Sequence, residues 1–348
     1  RKQFEPSLIT LWFESENNTL LPLYEELLIP VYCCGLSKIT SIFYGKSKVK
    51  NFLKKIQPDI VQGVGVPPYR MTLGYKNAIH FLTLRNYCYE DYPDQYAKGI
   101  GTLMAFMDIR LIRKQLKKGE PFVTCSKSLT EIYKEKEKLE ISYIRNGVDV
   151  NQYYKRELDE AKKLKEQFGL PVDKIIFVYS GGLIDRKNQR EAIEAFLKMK
   201  NRNEACLLLL GDGRDRTELE DTYGQEIDII FKGNVNNVRD FLAASDVYVS
   251  TSKSEGLPNG VLEAMAVGLP VILSDIPQHM EILDICVNCG MSYKLGNINQ
   301  LSKAMDAYCH TDLTEIGINS YKNVVNNFTA EHVSKLYQEK YQYLVNGQ

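Results

Sequence analysis

Apolar positions along the chain follow two alternating rhythms. Short apolar runs bounded by Gly, Pro, Asn or Asp read as strands, and between them apolar residues recur every three to four positions, as on one face of a helix. In the first half the strands are expected at 7–13, 30–34, 59–62, 78–83, 122–125 and 141–144, with helices over 21–28, 48–56, 101–118 and 128–138. A charged helix over 156–168 leads into a second series, with strands at 174–179, 205–210, 227–231, 246–250 and 271–273. Its helices are expected over 188–198, 214–223, 238–244, 258–267 and 301–308, and an amphipathic helix over 330–344 closes the chain. Strands that alternate with helices pair in parallel, so the pattern predicts an α/β protein with two doubly wound, Rossmann-like sheets. A chain of 348 residues also exceeds what one core serves. The expected division is 1–152, 153–325 and a C-terminal helix, 326–348, packing back toward the first domain.

In open parallel sheets ligands bind outside the carboxyl ends of the strands, where loops enter helices. Several such loops in the second half carry unusual chemistry. Ser254-Glu-Gly-Leu-Pro-Asn-Gly-Val-Leu-Glu263 puts one carboxylate, Glu255, in a loop and another, Glu263, on the helix that follows. Pro258 suits a first helical turn, and Gly268 with Pro270 stops the helix. Val261, Leu262, Met265 and Ala266 form a packed face, so Glu263 is expected to be shielded, at a cost unless something donates hydrogen bonds to it. The free N–H groups at the same helix start favour an anion. A ligand offering both hydroxyls and phosphates satisfies the whole site, which describes a nucleotide sugar. The plainer alternative pairs Glu263 with a neighbouring cation and leaves Glu255 solvated.

Ser180-Gly-Gly-Leu-Ile-Asp-Arg186-Lys187 places two cations before a helix start, where the macrodipole disfavours them unless an anion is held there. Gly211-Asp-Gly213 follows an apolar strand and admits close approach of a planar ligand or a phosphate. Gly233-Asn-Val-Asn-Asn237 ends another strand with small and amide side chains.

Composition adds bounds. Hydrophobic content of 44% and charged content of 25% are those of a soluble globular protein. No apolar run is long enough to span a bilayer, so a cytoplasmic location is expected. The eight cysteines read as free thiols, and Cys286-Val-Asn-Cys289 lacks a second ligand pair for a metal. The net charge of zero hides an asymmetry: residues 1–150 hold 22 Lys plus Arg against 16 Asp plus Glu, leaving 44 − 22 = 22 against 44 − 16 = 28 in the remainder. That argues against general nucleic-acid binding by the whole molecule. Arg110, Arg113, Lys114, Lys117 and Lys118 fall on one arc of a helix, and Lys46, Lys48, Lys50, Lys54 and Lys55 form a second cluster. Such faces fit a peripheral contact with anionic lipid at the inner face of the membrane, and fit equally well an ordinary helix with a solvated basic side.

Taken jointly, these motifs resemble the donor-binding domain of glycosyltransferase family 4, retaining enzymes of the GT-B fold. The signature is the spacing of Glu255 and Glu263, flanked in family order by Ile184-Asp-Arg-Lys-Asn188, Leu210-Gly-Asp-Gly213, Phe231-Lys-Gly-Asn-Val235 and Ser274-Asp-Ile-Pro-Gln-His-Met-Glu281. The resemblance implies that Glu263 holds ribose hydroxyls and that Arg186 and Lys187 hold the diphosphate. Glu255, with the backbone of Gly256 and Leu257 and with Pro258 beside it, would hold the transferred sugar. Gly181 would also belong to the donor-binding site, and the base would lie near Gly213, Val235 and Asn237. It further implies hexosyl transfer from a nucleotide diphosphate sugar, first a UDP-sugar and second a GDP-sugar, to a glycan or lipid-linked acceptor in cell-surface polysaccharide synthesis. No cofactor and no metal are expected, since there is no D-x-D pair. The alternatives are a homologue that binds sugar nucleotides without transfer and another GT-B enzyme such as a sugar-nucleotide epimerase.

Three positions depart from the family pattern. Gly182 stands where many members carry Arg, so more diphosphate charge falls to Arg186 and Lys187. Arg85 and Asn86 stand where a sugar-facing His is common, and of the histidines only His279 lies near a motif glutamate. The strand at 7–13 aligns with the family's second strand, so a sequence lacking its first strand is expected.

Overall fold

The computed structural model describes residues 4–13, 20–157 and 159–347. The first half runs β1 (Leu8–Trp12), α1 (Leu21–Glu26), β2 (Val31–Leu36), α2 (Lys38–Ile56), β3 (Ile60–Val64), α3 (Val66–Thr72), β4 (Ile79–Leu84), α4 (Cys88–Gln95), α5 (Lys98–Leu116), β5 (Phe122–Thr124), α6 (Lys127–Glu137) and β6 (Ser142–Tyr143). The second continues through α7 (Glu160–Phe168), β7 (Ile175–Ser180), α8 (Gln189–Leu197), β8 (Ala205–Leu210), α9 (Arg216–Tyr223), β9 (Ile229–Gly233), α10 (Val238–Ala243) and β10 (Val247–Ser250). It ends with α11 (Asn259–Val267), β11 (Val271–Ser274), α12 (Pro277–Ile285), β12 (Gly290–Tyr293), α13 (Ile298–Cys309), α14 (Thr314–Asn327) and α15 (Ala330–Asn346).

Two compact units result, and they interleave along the chain. One holds the residues up to Arg85 with Asp108–Val123 and Glu339 onward; the other holds Asn86–Met107 and Thr124–Gln338. A cut at 152/153 therefore separates the strands, β1 to β6 from β7 to β12, while Asn86–Met107 and the segment from Thr124 onward pack with the second unit. Named bonds hold that segment there. The backbone N–H groups of Lys127 and Ser128 donate to the Glu281 carboxylate at 3.0 and 2.7 Å, and Arg145 Nε donates to it at 2.7 Å.

In the second unit the sheet order is β12-β11-β10-β7-β8-β9, and its strand pairs are parallel. Its strands are apolar on both faces because helices cover both. Ile176 and Val178 of β7 and Leu208 of β8 enter one core, with Val261, Leu262 and Met265 of α11. Phe177 of β7 and Leu207 and Leu209 of β8 enter the other, with Ala192, Ile193 and Phe196 of α8. The period of two along each strand thus fixes which loop lies above which helix.

In the first unit β1 pairs with β2 and β3 with β4, both in parallel. Val49 and Leu53 of α2 share a core with Cys34 and Leu36 of β2 and Val61 of β3. The Tyr341 ring of α15 packs edge-on against Phe81 and Phe4, at centroid distances of 5.9 and 6.0 Å.

Several elements differ from the sequence expectation. The helix expected over 48–56 begins at Lys38, because Ser37 and Thr40 cap each other's backbone N–H groups at 3.1 and 2.8 Å. Pro67 and Pro68 lie in the first turn of α3, Pro277 opens α12 and Pro93 lies inside α4. Pro258 is the residue before α11 rather than its first turn, with ψ of 108°. The short strand β12 and the Asn-rich α14 carry too weak a periodicity to announce themselves.

Candidate active site

Strands β7 and β10 of the six-stranded sheet are neighbours, and the chain leaves them toward opposite edges of the sheet. That switch point is where a parallel sheet opens a crevice. The loop after β7 carries Arg186 and Lys187 in a short 3-10 turn, Asp185–Lys187, and the loop after β10 carries Glu255. Tyr179 at the end of β7 donates to the Lys187 carbonyl at 2.7 Å, and the Lys253 N–H donates to the Arg186 carbonyl at 2.8 Å. The backbone of the cationic turn is thus fixed from both strands.

Arg186, Lys187 and Glu255 come together. Lys187 Nζ donates to Glu255 Oε1 at 2.6 Å; one Arg186 guanidinium nitrogen donates to the Ser254 carbonyl at 2.7 Å and to Glu255 Oε2 at 3.3 Å. Glu255 is buried, 6% exposed. Burial alone pushes its carboxyl up, but the Lys187 ammonium, the Arg186 guanidinium and the Ser252 hydroxyl outweigh that and hold it below the ordinary range. Glu255 is therefore an anion already seated on the two cations. It is not the solvated loop charge of the plainer reading.

Glu263 is the opposite case. It lies half-buried in α11 and has no hydrogen-bond or ion-pair partner among the described residues. Burial raises its carboxyl above the ordinary range, and Lys187 offsets this only in part. The same carboxylate pushes up the hydroxyls of Tyr153 and Tyr248, whose own burial is the larger cause. An unpaired, shielded carboxylate beside a helix start and a lysine is a hydrogen-bond acceptor in want of donors.

The glycines have structural reasons of their own. A Cβ on Gly211 would lie 2.1 Å from the Gly181 carbonyl oxygen, and one on Gly213 would lie 2.2 Å from that of Leu183. The loops after β7 and β8 thus pack backbone on backbone, and Gly213 serves that packing before it serves any ligand. Gly181, with φ of +144°, has only Lys187 and Tyr179 within 4 Å of its would-be Cβ, so that side of the turn is open. Val235 is half-buried against the core, and Asn237 is exposed at the start of α10. Ser126 Oγ donates to the Gly256 carbonyl at 2.6 Å, and Asn146 to that of Leu257 at 2.9 Å, which braces the approach to buried Pro258 and α11. Asn86 donates to Asp91 at 3.2 Å within this unit, whereas Arg85 is exposed at the end of β4 in the other.

Sequence reasoning missed a buried polar bed under Glu255. His279 is fully buried, with Nε2 3.2 Å from Ser250 Oγ and Nδ1 2.9 Å from Ser274 Oγ. Burial pulls its imidazole down to about 4. Since Nδ1 also lies 3.0 Å from the Ser274 carbonyl, which only accepts, the neutral ring carries its proton there and Nε2 accepts from Ser250. His279 therefore orients hydroxyls beneath the site and does not face a substrate. Among the described residues no group of three or more His, Cys, Asp or Glu could hold a metal ion, and Cys286 and Cys289 are buried free thiols.

The fold is GT-B. HepE of Anabaena, solved in complex with UDP and glucose, superposes with a TM-score of 0.78 at 17% identity, covering 97% of this chain and 99% of that one. Residues 160–327 match the family model of glycosyl transferases group 1. A putative teichuronic acid biosynthesis glycosyltransferase of Bacillus subtilis is 27% identical over 274 residues, 76% of this chain and 64% of that protein. The N-acetyl-alpha-D-glucosaminyl L-malate synthase of Bacillus anthracis is 26% identical over 240 residues, 66% of this chain and 61% of that protein. The chain thus spans less than two thirds of the length of these two relatives. No helix among the described residues is long and apolar enough to cross a membrane.

Proposed function

We propose that the protein transfers a hexosyl unit, with retention, from a nucleotide diphosphate sugar to a glycan or lipid-linked acceptor in polysaccharide synthesis. The observation that carries this reading is the contrast between the two glutamates: Glu255 neutralises two cations, and Glu263 is shielded without a partner. A nucleotide sugar completes both. Its ribose hydroxyls donate to Glu263, and its diphosphate takes Arg186 and Lys187. Glu255, released from those cations, accepts from hydroxyls of the sugar. As the glycosyl–phosphate bond breaks, charge grows on the departing diphosphate, and fixed cations with the helix start stabilise it where it grows. A UDP-sugar is the first choice of donor and a GDP-sugar the second; no cofactor takes part, and the charge on the cations makes a divalent metal unnecessary.

The acceptor side of the proposal includes a peripheral membrane contact. Its support is α5, which exposes Ile100, Leu103, Phe106 and Met107 along one stripe and continues it into Arg110, Lys114 and Lys117. Helix α2 likewise exposes Ile42, Phe43 and Tyr44 ahead of Lys46, Lys48 and Lys50. Exposed apolar side chains next to clustered basic ones favour contact with an anionic lipid surface.

The test is a donor panel. Wild-type protein is incubated with UDP- and GDP-hexoses in EDTA, without acceptor and then with a lipid-linked acceptor, and products are read by mass spectrometry and anomeric configuration by NMR. Slow hydrolysis of one donor and transfer with retention are expected. Binding without turnover points to a non-transferring homologue, interconversion of the free sugar nucleotide to an epimerase, and turnover only with added Mg or Mn contradicts metal independence.

A further inference from the structure

A buried carboxylate outside the glutamate pair faces one of the same cations, Arg186. Asp91, in the middle of α4, is 9% exposed, and its Oδ1 lies 3.8 Å from Arg186 Nε. That nitrogen is buried and has no hydrogen bond. Asp91 is itself fixed from two sides: Asn86 donates to Oδ1 at 3.2 Å and Gln95 to Oδ2 at 2.8 Å. The same helix is anchored once more by Asp94, which pairs with Arg214 in the loop after β8. Burial raises the Asp91 carboxyl, with Arg186 the first force opposing it.

Arg186 is thus held on one edge by Ser254 and Glu255 and faced on the other by Asp91. On the proposed donor reading, Glu255 leaves this cluster for the sugar when the donor binds. Asp91 then remains as the carboxylate still set against the guanidinium.

From this geometry we infer that Asp91 is a positioning residue, holding the Nε edge of Arg186 so that the guanidinium faces the departing diphosphate during transfer. This rests on the donor reading above and adds the residue that keeps its cation aligned. Removing the Asp91 charge makes the site more positive, so a bound diphosphate is held at least as well. What is lost is the fixed orientation that transition-state charge requires.

Asp91→Asn, Arg186→Ala and the double variant are compared for UDP affinity by calorimetry and for kcat and KM with the donor selected by the panel. The expected result for Asp91→Asn is a kcat at least tenfold lower, with UDP bound as tightly as by wild type or up to about threefold tighter. In the Arg186→Ala background the same change has no further effect on kcat, because Asp91 acts through Arg186. A kcat within twofold of wild type, an equal loss in both backgrounds, or a parallel fall of UDP affinity and thermal stability overturns the inference. If Asp91→Asn does not fold, Gln95→Ala loosens the carboxylate without removing its charge. It should lower kcat threefold or more at unchanged UDP affinity, and unchanged kcat overturns the inference. Failure of Arg186→Ala to weaken UDP binding sinks the donor reading itself, and is a separate result.

Discussion

Glu255 and Glu263 show how the same side chain takes opposite states in neighbouring surroundings. Glu263 costs the ligand-free protein stability, since burial disfavours its charged form and Lys187 offsets this only in part. Glu263→Gln should therefore raise the melting temperature of the free protein by about 1–3 °C, as removal of a modest electrostatic cost does in a chain of this size. A lowered melting temperature in calorimetry would mean that the carboxylate has a partner in solution. His279 supplies a pH test. The unfolded chain takes up this proton near the ordinary value of about 6.5, and the folded protein refuses it until about 4. The unfolded state thus binds more protons within that window, so the contribution is complete above it and is lost as pH falls through it. The loss is on the order of 3 kcal/mol in all. Urea midpoints between pH 7 and 4 should fall more steeply for wild type than for His279→Gln; equal slopes would contradict a neutral, buried imidazole.

At the scale of elements, the loops after β7 and β8 are a packed pair before they are a binding surface. Gly213→Ala puts a methyl against a backbone oxygen that cannot rotate away, so it should destabilise the second unit by about 1–3 kcal/mol, as overpacking does. An unchanged melting temperature with weakened nucleotide binding would restore Gly213 to a purely ligand-facing role. The exposed stripe of α5 is the second case. The protein should sediment with anionic vesicles at low salt, and Leu103→Asp with Phe106→Asp should abolish this; no binding by wild type would leave α5 an ordinary solvated helix. How far such elements could be foreseen depended on what shapes them. Strands β7, β8 and β10 and helices α8 and α11 were legible because burial on both faces leaves long apolar runs with clear stops. Helix α4 was not, since Pro93 and a run of tyrosines mask its period, and with it the sequence hid Asp91.

For the molecule as a whole, the fold was legible, while the mutual pairing of the candidate site residues was not. The sequence pattern put Arg186 and Lys187 at a helix start and Glu255 in a loop, and each was expected to face a ligand. It could not reveal that Glu255 occupies both cations in the free protein, because the two segments are joined only by the adjacency of β7 and β10. The interleaving of the compact units was hidden for the same reason, since single bonds such as Lys127 and Ser128 to Glu281 join distant stretches of chain.

The central claim is the division of labour between the two glutamates, and calorimetry with free UDP beside turnover of the full donor tests it directly. Glu263→Ala should weaken UDP itself by roughly 1.5–3 kcal/mol, the range for hydrogen bonds to a charged group. Glu255→Ala frees Arg186 and Lys187 for the diphosphate, so UDP affinity should hold or rise, while turnover of the nucleotide sugar falls about tenfold for each 1.4 kcal/mol lost from the transition state. Equal effects of the two substitutions on both measurements would contradict the account.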